Sequence, residues 1–221
     1  IPKKRFEFDI EEMKQIVDDV TDYQRGRYSI PILSMLLGGN RPSEALAYSR
    51  EDMDIENRIM DCKHEVFEPN KKLLKGTAYE YLTDKSVVIG PPKSEAGIRK
   101  IPMPKRVAER LMIVPNDMRD RQGLITKTAF GTPMGYDNFY KRHWVQLKKN
   151  FGWRKDLNMS DLRDMYASFH IGFLDTKIEQ LCIWMGHEHP GVTYKWYAHV
   201  IKHFDNNPIT QPTEYYANYF D

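Results

Sequence analysis

The sequence predicts an α+β fold that is mainly helical and contains a small antiparallel β-sheet. Apolar residues recur at helical spacing over Asp9–Thr21, and the helical pattern returns from Lys105 onward. Between Asp54 and Met103 the pattern changes to short alternating or β-branched runs, which are typical of strands. Helices that flank one small sheet form a single domain in this prediction, and that domain spans residues 1–221.

The first two predicted helices have clear boundaries. Asp9–Thr21 opens with an acidic turn, which suits the positive end of the helix macrodipole. Ile30–Leu37 is apolar along its length, so it predicts a buried helix, and Gly38 and Gly39 end it. The inward-facing positions of the first helix are expected at Ile10, Met13, Ile16, Val17 and Val20.

Next comes a short segment that places an arginine at a helix N-terminus. Asn40 is expected to cap this helix, and Pro42 suits its first turn. Arg41 then lies where anions bind readily. A surface ion pair between Arg41 and Glu44 is an equally good interpretation of this segment.

The strongest hairpin signal in the strand region predicts that Val87–Ile89 pairs with Ile98–Met103. Two prolines and Gly97 bound the connection between these runs. Lys93 lies on this turn, from which its flexible ammonium could reach a neighbouring site. The alternative is an ordinary solvated turn lysine.

Further helices follow the strand region. The first is expected to place Val107, Leu111 and Met112 on one face. Tyr136–Phe151 is amphipathic, with a basic polar side. Ser160 is predicted to be the N-cap of the helix after that.

The forty residues from Ser160 to His199 bring together a set of side chains that suits phosphate chemistry. They contain Arg163, His187 and Tyr197, separated by apolar helical sequence. A buried guanidinium needs a strong acceptor, and a phosphate diester suits the fork of an arginine. The pattern therefore favours phosphoryl transfer to a tyrosine, although Tyr197 considered alone is better explained as a packed aromatic residue.

Composition limits the possible settings for this chemistry. The net charge of +2 does not by itself indicate a nucleic-acid partner, but basic residues cluster after Lys71 while acidic ones gather near the start. No apolar run approaches the roughly 20 residues that span a bilayer, so a soluble, intracellular protein without membrane contact is expected. Cys62 and Cys182 are interpreted as structural thiols. The initial Ile1 suggests a fragment of a longer protein.

Four segments, in this order, resemble the motifs of the tyrosine recombinases, the phage-integrase family of DNA strand-exchange enzymes. GGNRPSEALAYSREDMD resembles the first arginine box, PPKSEAGIRKIPMP the β-hairpin lysine motif, DLRDMYASF the second arginine box, and MGHEHPGVTYKWYAH the Gly-His box and nucleophile. The resemblance covers nearly the whole chain. It implies Arg41, Lys93, Arg163, His187 and Tyr197 as catalytic residues, with Glu44, Ser160 and His199 in support.

The resemblance implies a mechanism like that of the type IB topoisomerases. Two arginines would bind the non-bridging phosphate oxygens, while His187 would hydrogen-bond the phosphate or assist the nucleophile. Tyr197 would form a 3′-phosphotyrosine, and Lys93 would protonate the departing 5′ oxygen. The family needs no metal or cofactor. Its members act on double-stranded DNA as homo-oligomers, with tetramers on recombining sites. They usually carry an additional N-terminal DNA-binding domain, which residues 1–221 are not expected to include.

One position departs from the family pattern. The residue three before the second arginine is normally histidine or lysine, and here it is Ser160, which cannot carry a charge. His170, His189 or His199 are candidates to compensate. The departure leaves open a second function, that of a DNA-binding or regulatory relative with weakened cleavage.

Other interpretations have less support. Histidines 187, 189, 199 and 203 suggest zinc, but no cysteine or acidic set completes a site, so no metal is expected. A small-molecule phosphotransferase would need a Gly-rich phosphate loop, which the sequence lacks. The tail 205–221 is expected to dock through its aromatic residues in cis or in trans. The resemblance also implies a bacterial or phage-encoded, cytoplasmic, nucleoid-associated protein.

Overall fold

The computed structural model describes residues 8–22, 26–70, 72, 75–76, 87–114, 123–174 and 176–206. Within these ranges helices predominate and the strands are short and antiparallel, which confirms the predicted α+β class. The run 78–82 in the predicted strand region lies outside the described residues, as does the expected docking tail beyond the end of the last helix. None of the described helices has both the length and the apolar character needed to span a membrane.

Among the described residues, all the strands lie between Met53 and Pro102, with α-helices before and after them. The helices are α1 (Ile10–Asp22), α2 (Gly26–Gly38), α3 (Pro42–Ala45), α4 (Lys105–Ile113), α5 (Tyr136–Phe139), α6 (Val145–Phe151), α7 (Met159–Gly172), α8 (Ile178–Met185) and α9 (Pro190–Asn206). A π-helical turn, Tyr140–Trp144, joins α5 to α6. The strands are β1 (Met53–Asp54), β2 (Ile59–Cys62), β3 (Glu65–Phe67), β4 (Val88–Gly90) and β5 (Arg99–Pro102).

The strands within the described ranges form two small sheets, where the sequence predicted one. A three-stranded sheet has the order β1–β2–β5, with Met60 opposite Ile101, and a separate two-stranded sheet pairs β3 with β4. The predicted hairpin between Val87–Ile89 and Ile98–Met103 is therefore wrong. Residues 91–98 begin with two prolines and contain a 3-10 turn, so they carry the chain from one sheet to the other.

The helix caps near the predicted site also differ from the sequence expectation. Arg41, not Asn40, precedes the first turn of α3, and its backbone N–H donates to Glu44 Oε2 at 2.8 Å. Asn40 is instead buried, and its Nδ2 donates to Tyr48 Oη at 2.8 Å. Asn40 fails as a cap because its amide is used inside the core.

Ser160 is likewise not the cap of α7. The helix begins two residues earlier than predicted, and Asn158 is its N-cap, with its backbone N–H donating to Asp161 Oδ2 at 2.8 Å. Ser160 lies exposed in the first turn. A further correction concerns α4, where Leu111 is buried but Met112 is 68% exposed and therefore does not share its face.

Helix α7 runs through the centre of the fold. It packs against α1, α2, α8 and α9, and most of its residues are buried. The predicted inward face of α1 is confirmed at Met13, Ile16, Val17 and Val20. Because α7 is enclosed in this way, any polar side chain on it must find its partners inside the protein.

Candidate active site

The first part of the candidate site is a carboxylate shared by two arginines. Glu44 on α3 accepts from Arg41 Nη1 through Oε1 at 2.7 Å. Its two oxygens also receive Arg99 Nη1 at 3.0 Å and Nη2 at 2.9 Å. Glu44 and Arg99 are both buried, so the ion pair joins α3 to β5 within the core. Arg41 therefore has the predicted pairing with Glu44, but it belongs to a larger cluster.

Arg163 on α7 is the third arginine of this cluster, and the protein encloses it. Its Nη1 donates to the carbonyl oxygen of Gly39 at 2.6 Å. Its Nη2 donates to the carbonyl oxygen of Met185 at 2.6 Å and lies 3.0 Å from His187 Nε2. Arg163 thus ties the end of α2 to the end of α8.

The C-terminus of α8 holds all three guanidinium groups through three successive carbonyl oxygens. Trp184 O accepts from Arg99 Nε at 2.6 Å, Met185 O from Arg163, and Gly186 O from Arg41 Nη2 at 2.8 Å. The last carbonyls of a helix lack partners within the helix, and they form the negative end of its dipole. The end of α8 is therefore a suitable acceptor for clustered positive charge.

Two glycines make this arrangement possible. Gly186 ends α8 in the left-handed region, with φ of +64°, and a Cβ there would lie 2.8 Å from both Ala96 O and Arg99 Nη1. Gly39 has φ of +67°, and a Cβ there would lie 2.5 Å from the Tyr166 ring. Each glycine gives its carbonyl to an arginine, so both backbone conformation and close packing require glycine.

His187 connects Arg163 to α9. Its Nδ1 lies 2.8 Å from Thr193 Oγ1, and its Nε2 lies 3.0 Å from Arg163 Nη2. Arginine can only donate, so Nε2 accepts and the imidazole proton resides on Nδ1, which donates to Thr193. Burial and the neighbouring Arg163 lower the pKa of His187 to about 4, in agreement with this neutral form.

Tyr197 lies on the same face of α9 as Thr193, four residues further along the helix. Its hydroxyl donates to Asp164 Oδ1 at 2.7 Å, and its side chain is only 5% exposed. Tyr166, Ala167, Leu181 and Met185 form a small apolar cluster with it. Burial and the adjacent Asp164 carboxylate raise the pKa of the phenol well above its ordinary value.

The cluster carries an excess of positive charge. Arg41, Arg99 and Arg163 face the single carboxylate of Glu44, which leaves a net charge of two positive units among these four groups. Burial raises the pKa of Glu44, but the hydrogen bonds and charge of Arg99, together with Arg41, outweigh it and hold the value at about 2. Burial and Arg41 lower the pKa of Arg163 to about 10, so the guanidinium remains charged at neutral pH.

Two of the expected residues, Lys93 and Ser160, are not drawn into the cluster. Lys93 lies exposed in the connection between β4 and β5, and no described hydrogen bond joins it to the arginines. Ser160 is exposed at the start of α7, and the side chain of His199 lies outside the described part of the chain. Among the candidates to compensate for Ser160, His189 is exposed. His170 is buried, and this burial lowers its pKa to about 4. The Nδ1 atom of His170 lies 2.8 Å from Thr176 Oγ1.

Sequence reasoning missed Arg99, Asp164 and Thr193. A usable signal existed for Arg99, because Arg99 and Ile101 alternate with exposed Lys100 and Pro102 along β5. Asp164 and Thr193 are ordinary polar residues whose partners lie elsewhere along the chain, so local pattern carries no signal for them. Within the described part of the chain, no group of three or more metal-ligating side chains is close enough to hold an ion.

The interpretation of both cysteines as structural thiols agrees with the structure. Cys62 and Cys182 are free and buried. The Sγ atom of Cys62 accepts from Arg99 Nη1 at 3.3 Å, and burial raises the pKa of this thiol to about 12. Cys182 Sγ donates to the carbonyl oxygen of His187 at 3.3 Å and so supports the turn after α8.

Solved structures with a similar fold include DNA recombinases. The Tn1549 transposon integrase in complex with circular intermediate DNA has a TM-score of 0.68 and 18% sequence identity, covering 88% of this chain and 63% of that one. The XerA recombinase has a TM-score of 0.65 and 12% sequence identity, and the match covers 96% of this chain and 68% of that one. The pre-cleavage complex of the XerH site-specific recombinase with its difH substrate has a TM-score of 0.58 and 14% sequence identity. This match covers 93% of this chain and 54% of that one.

This chain therefore has the fold of these recombinases, as the sequence resemblance implied. It spans between about half and two thirds of the length of the three recombinase structures. No protein-family model matches the sequence, and neither does any curated protein sequence.

Proposed function

We propose that this chain is the catalytic domain of a site-specific DNA recombinase or integrase, which cuts and rejoins strands through a covalent phosphotyrosine. The observation that carries the proposal is the preassembled cluster of Arg41, Arg163 and His187. Tyr197 is hydrogen-bonded to Asp164, the residue that follows Arg163. The fold shared with recombinases solved in complex with DNA supports it.

A phosphate diester is the ligand that suits the cluster. The net positive charge is partly buried, and a single anionic phosphodiester would reduce it at short range. Arg41 is 36% exposed, so its guanidinium is accessible from solvent. The described hydrogen bonds use two of its five N–H donors, which leaves donors for a phosphate oxygen.

In the proposed reaction Arg41 and Arg163 bind the two non-bridging oxygens and stabilise the charge that develops on them. Tyr197 Oη attacks phosphorus, the bond to the 5′ oxygen breaks, and a 3′-phosphotyrosine remains. His187 accepts from Arg163 Nη2 and so fixes the orientation of this guanidinium. Religation is the reverse of these steps, and the covalent bond conserves the energy of the broken one.

Lys93 is proposed to protonate the leaving 5′ oxygen. Lys93 and Ala96 both belong to the segment 91–98. The carbonyl oxygen of Ala96 lies close to Gly186, so this segment borders the arginine cluster. A substrate with sulfur at the 5′ bridging position tests this role, because a thiolate leaves without a proton. Lys93→Ala is expected to slow cleavage of the oxygen substrate and to have little effect on the sulfur substrate. Equal slowing of both substrates would remove Lys93 from this role.

The partner in this proposal is double-stranded DNA, and the working form is a homo-oligomer with a tetramer on two recombining sites. The chain would act as one domain beside a separate DNA-binding domain, since it spans only part of the recombinase structures it resembles. The bacterial or phage-encoded, nucleoid-associated setting belongs to the same proposal.

Covalent capture tests the proposal. The protein is incubated with a pool of nicked duplexes and denatured, and the DNA that stays attached is sequenced. We expect attachment by the wild type and none by Tyr197→Phe. Absence of attachment by the wild type, despite a band shift with the same pool, would overturn the cleavage function.

Variants of the arginines separate chemistry from binding. Arg41→Ala and Arg163→Ala are expected to abolish attachment while most DNA binding remains, because nearly all binding contacts lie outside one phosphate. Arg142→Ala is the matched control, since Arg142 is exposed on the π-helical turn and outside the cluster. Unchanged cleavage by either cluster variant would remove the central claim.

A DNA-binding or regulatory relative with weakened cleavage is the second candidate. Ser160 supports it, because a serine replaces the family's ionisable group and its side chain is exposed. DNA binding without attachment at any pH would favour this candidate over the first.

A further inference from the structure

Tyr197 Oη is in direct hydrogen-bond contact with a carboxylate. Asp164 follows Arg163 on α7, and its Oδ1 accepts from the phenol at 2.7 Å. The phenol belongs to an apolar cluster with Leu181 and Met185, so water has little access to it. A buried phenol that attacks phosphorus must transfer its proton to a group already in contact with it.

The environment disfavours prior ionisation of the tyrosine. Burial and the Asp164 charge raise the phenol pKa well above 10, so a free tyrosinate would be rare at neutral pH. Proton transfer therefore has to accompany formation of the Oη–phosphorus bond. His187 is poorly placed to accept that proton, because its Nε2 already accepts from Arg163 and its Nδ1 carries the imidazole proton.

We propose that Asp164 is the general base of the reaction: its Oδ1 takes the Tyr197 proton as Oη attacks, and returns it during religation. This inference rests on the proposed function. In the forward step the Oη–H bond breaks, the Oη–phosphorus bond forms, and the bond from phosphorus to the 5′ oxygen breaks. The leaving 5′ oxygen receives its proton from Lys93, so Asp164 takes up one proton and Lys93 gives up one.

The charges around this pair suit the role. Arg163 precedes Asp164 on α7, and its positive charge lies within electrostatic range of the phenol. The neutral His187 follows α8, and Glu179 on α8 is exposed. Arg41, Arg99 and Glu44 also act electrostatically on Arg163. The bound phosphate would add negative charge next to Asp164, which favours the carboxylate in its protonated form after transfer.

Asp164→Asn separates proton acceptance from positioning. Its side-chain carbonyl oxygen can still accept a hydrogen bond from Tyr197, but it cannot take the proton. With the nicked-duplex pool, we expect attachment about 100-fold or more slower than for the wild type, with unchanged DNA binding. The rate of this variant should rise with pH, because solvent must then remove the proton. Asp164→Glu should recover part of the rate.

A chemical rescue gives a second readout. A fluorinated tyrosine at position 197 has a more acidic phenol, so it should raise the rate of Asp164→Asn far more than that of the wild type. Glu179→Gln is the charge-matched control and should cleave like the wild type. Thermal unfolding of every variant monitors the fold, and Asp164→Glu supplies the activity test if the asparagine variant unfolds.

The outcomes are distinguishable. Attachment by Asp164→Asn at the wild-type rate, or faster, would overturn the inference and leave the proposed function intact. In the faster case Asp164 would be a restraint on the nucleophile. Absence of attachment by the wild type would remove the proposed function and this inference together.

Discussion

The arginines and the tyrosine of the candidate site are held in different ways. Arg99 and Arg163 each contact at least two acceptors from different elements, and half of these acceptor atoms are backbone carbonyl oxygens. Tyr197 has one described hydrogen bond, to the side chain of Asp164. The arginine cluster is thus fixed by the fold itself, whereas Tyr197, the proposed nucleophile, is held by apolar packing and one described hydrogen bond.

This difference suits the roles proposed for the two parts. Groups that stabilise developing charge are most effective when they need no reorganisation during the reaction. A nucleophile must instead exchange its proton and bond partner in every cycle. In the proposed reaction, a rigid arginine cluster and a tyrosine with one described hydrogen bond would combine preorganisation with freedom to react.

The largest expected effect tests the rigidity of the cluster. Glu44→Gln leaves Arg99 buried without its carboxylate, and we expect a loss of about 3–5 kcal/mol in the free energy of unfolding. Asp164→Asn keeps its hydrogen bond to Tyr197, so it should lower the free energy of unfolding by less than half of that amount. Urea unfolding at pH 7 measures both. Equal losses would mean that the two regions are held equally firmly.

Acidification should weaken the fold through its neutral histidines. The folded pKa of both His170 and His187 is about 4, below the ordinary value of 6.5, so the unfolded chain binds protons that the folded chain does not. This stability is fully present above pH 6.5 and is lost as pH falls toward 4. Each histidine contributes up to about 1.4 kcal/mol per pH unit, with less from the partly exposed His187. Urea unfolding between pH 7.5 and 4.5 measures the slope, and a flat profile would contradict the buried neutral state.

A third prediction concerns the link between the two regions. Thr193→Val removes the acceptor of His187 Nδ1–H, with an expected cost of about 1–3 kcal/mol and slower covalent attachment. Thr176→Val is the matched control, because Thr176 Oγ1 lies at the same 2.8 Å distance from Nδ1 of His170, away from the cluster. Both variants should lose similar stability, and only Thr193→Val should lose cleavage. Equal cleavage rates would show that His187 does not orient Arg163.

The smallest expected effect is at Ser160. Because this side chain is exposed, Ser160→His should change the free energy of unfolding by less than about 0.5 kcal/mol. In a covalent-attachment assay, a faster rate would indicate that position 160 reaches the phosphate when DNA is bound. Unfolding of this variant would contradict its placement outside the packed core.

The fold class and the positions of the arginine boxes could be predicted because their signals are local. Helical periodicity identified α1, and Gly38 and Gly39 identified the end of α2. The pairing of β4 and β5 could not be predicted, because the identity of a strand's partner depends on the whole chain. The sequence places β4 and β5 next to each other, but each pairs with an earlier strand.

The same dependence on the whole chain explains which residues of the candidate site could be predicted from the sequence. The motifs indicated Arg41, Arg163 and His187, and the structure brings all three together. The contact between Asp164 and Tyr197 joins residues 33 positions apart, so no spacing rule points to it. Long-range polar contacts of this kind need the packing of α9 on α7 to be known first.

The three successive carbonyls at the end of α8 restrict where the chain can change length. Consecutive residues of a helix turn by about 100° and rise by 1.5 Å, so inserting or deleting one residue between Leu181 and Gly186 would put every acceptor out of phase with its arginine. The segment that precedes α8, around Thr176 and Lys177, holds none of these acceptors. Length variation among close homologues should therefore occur before α8 and be absent from its last turn.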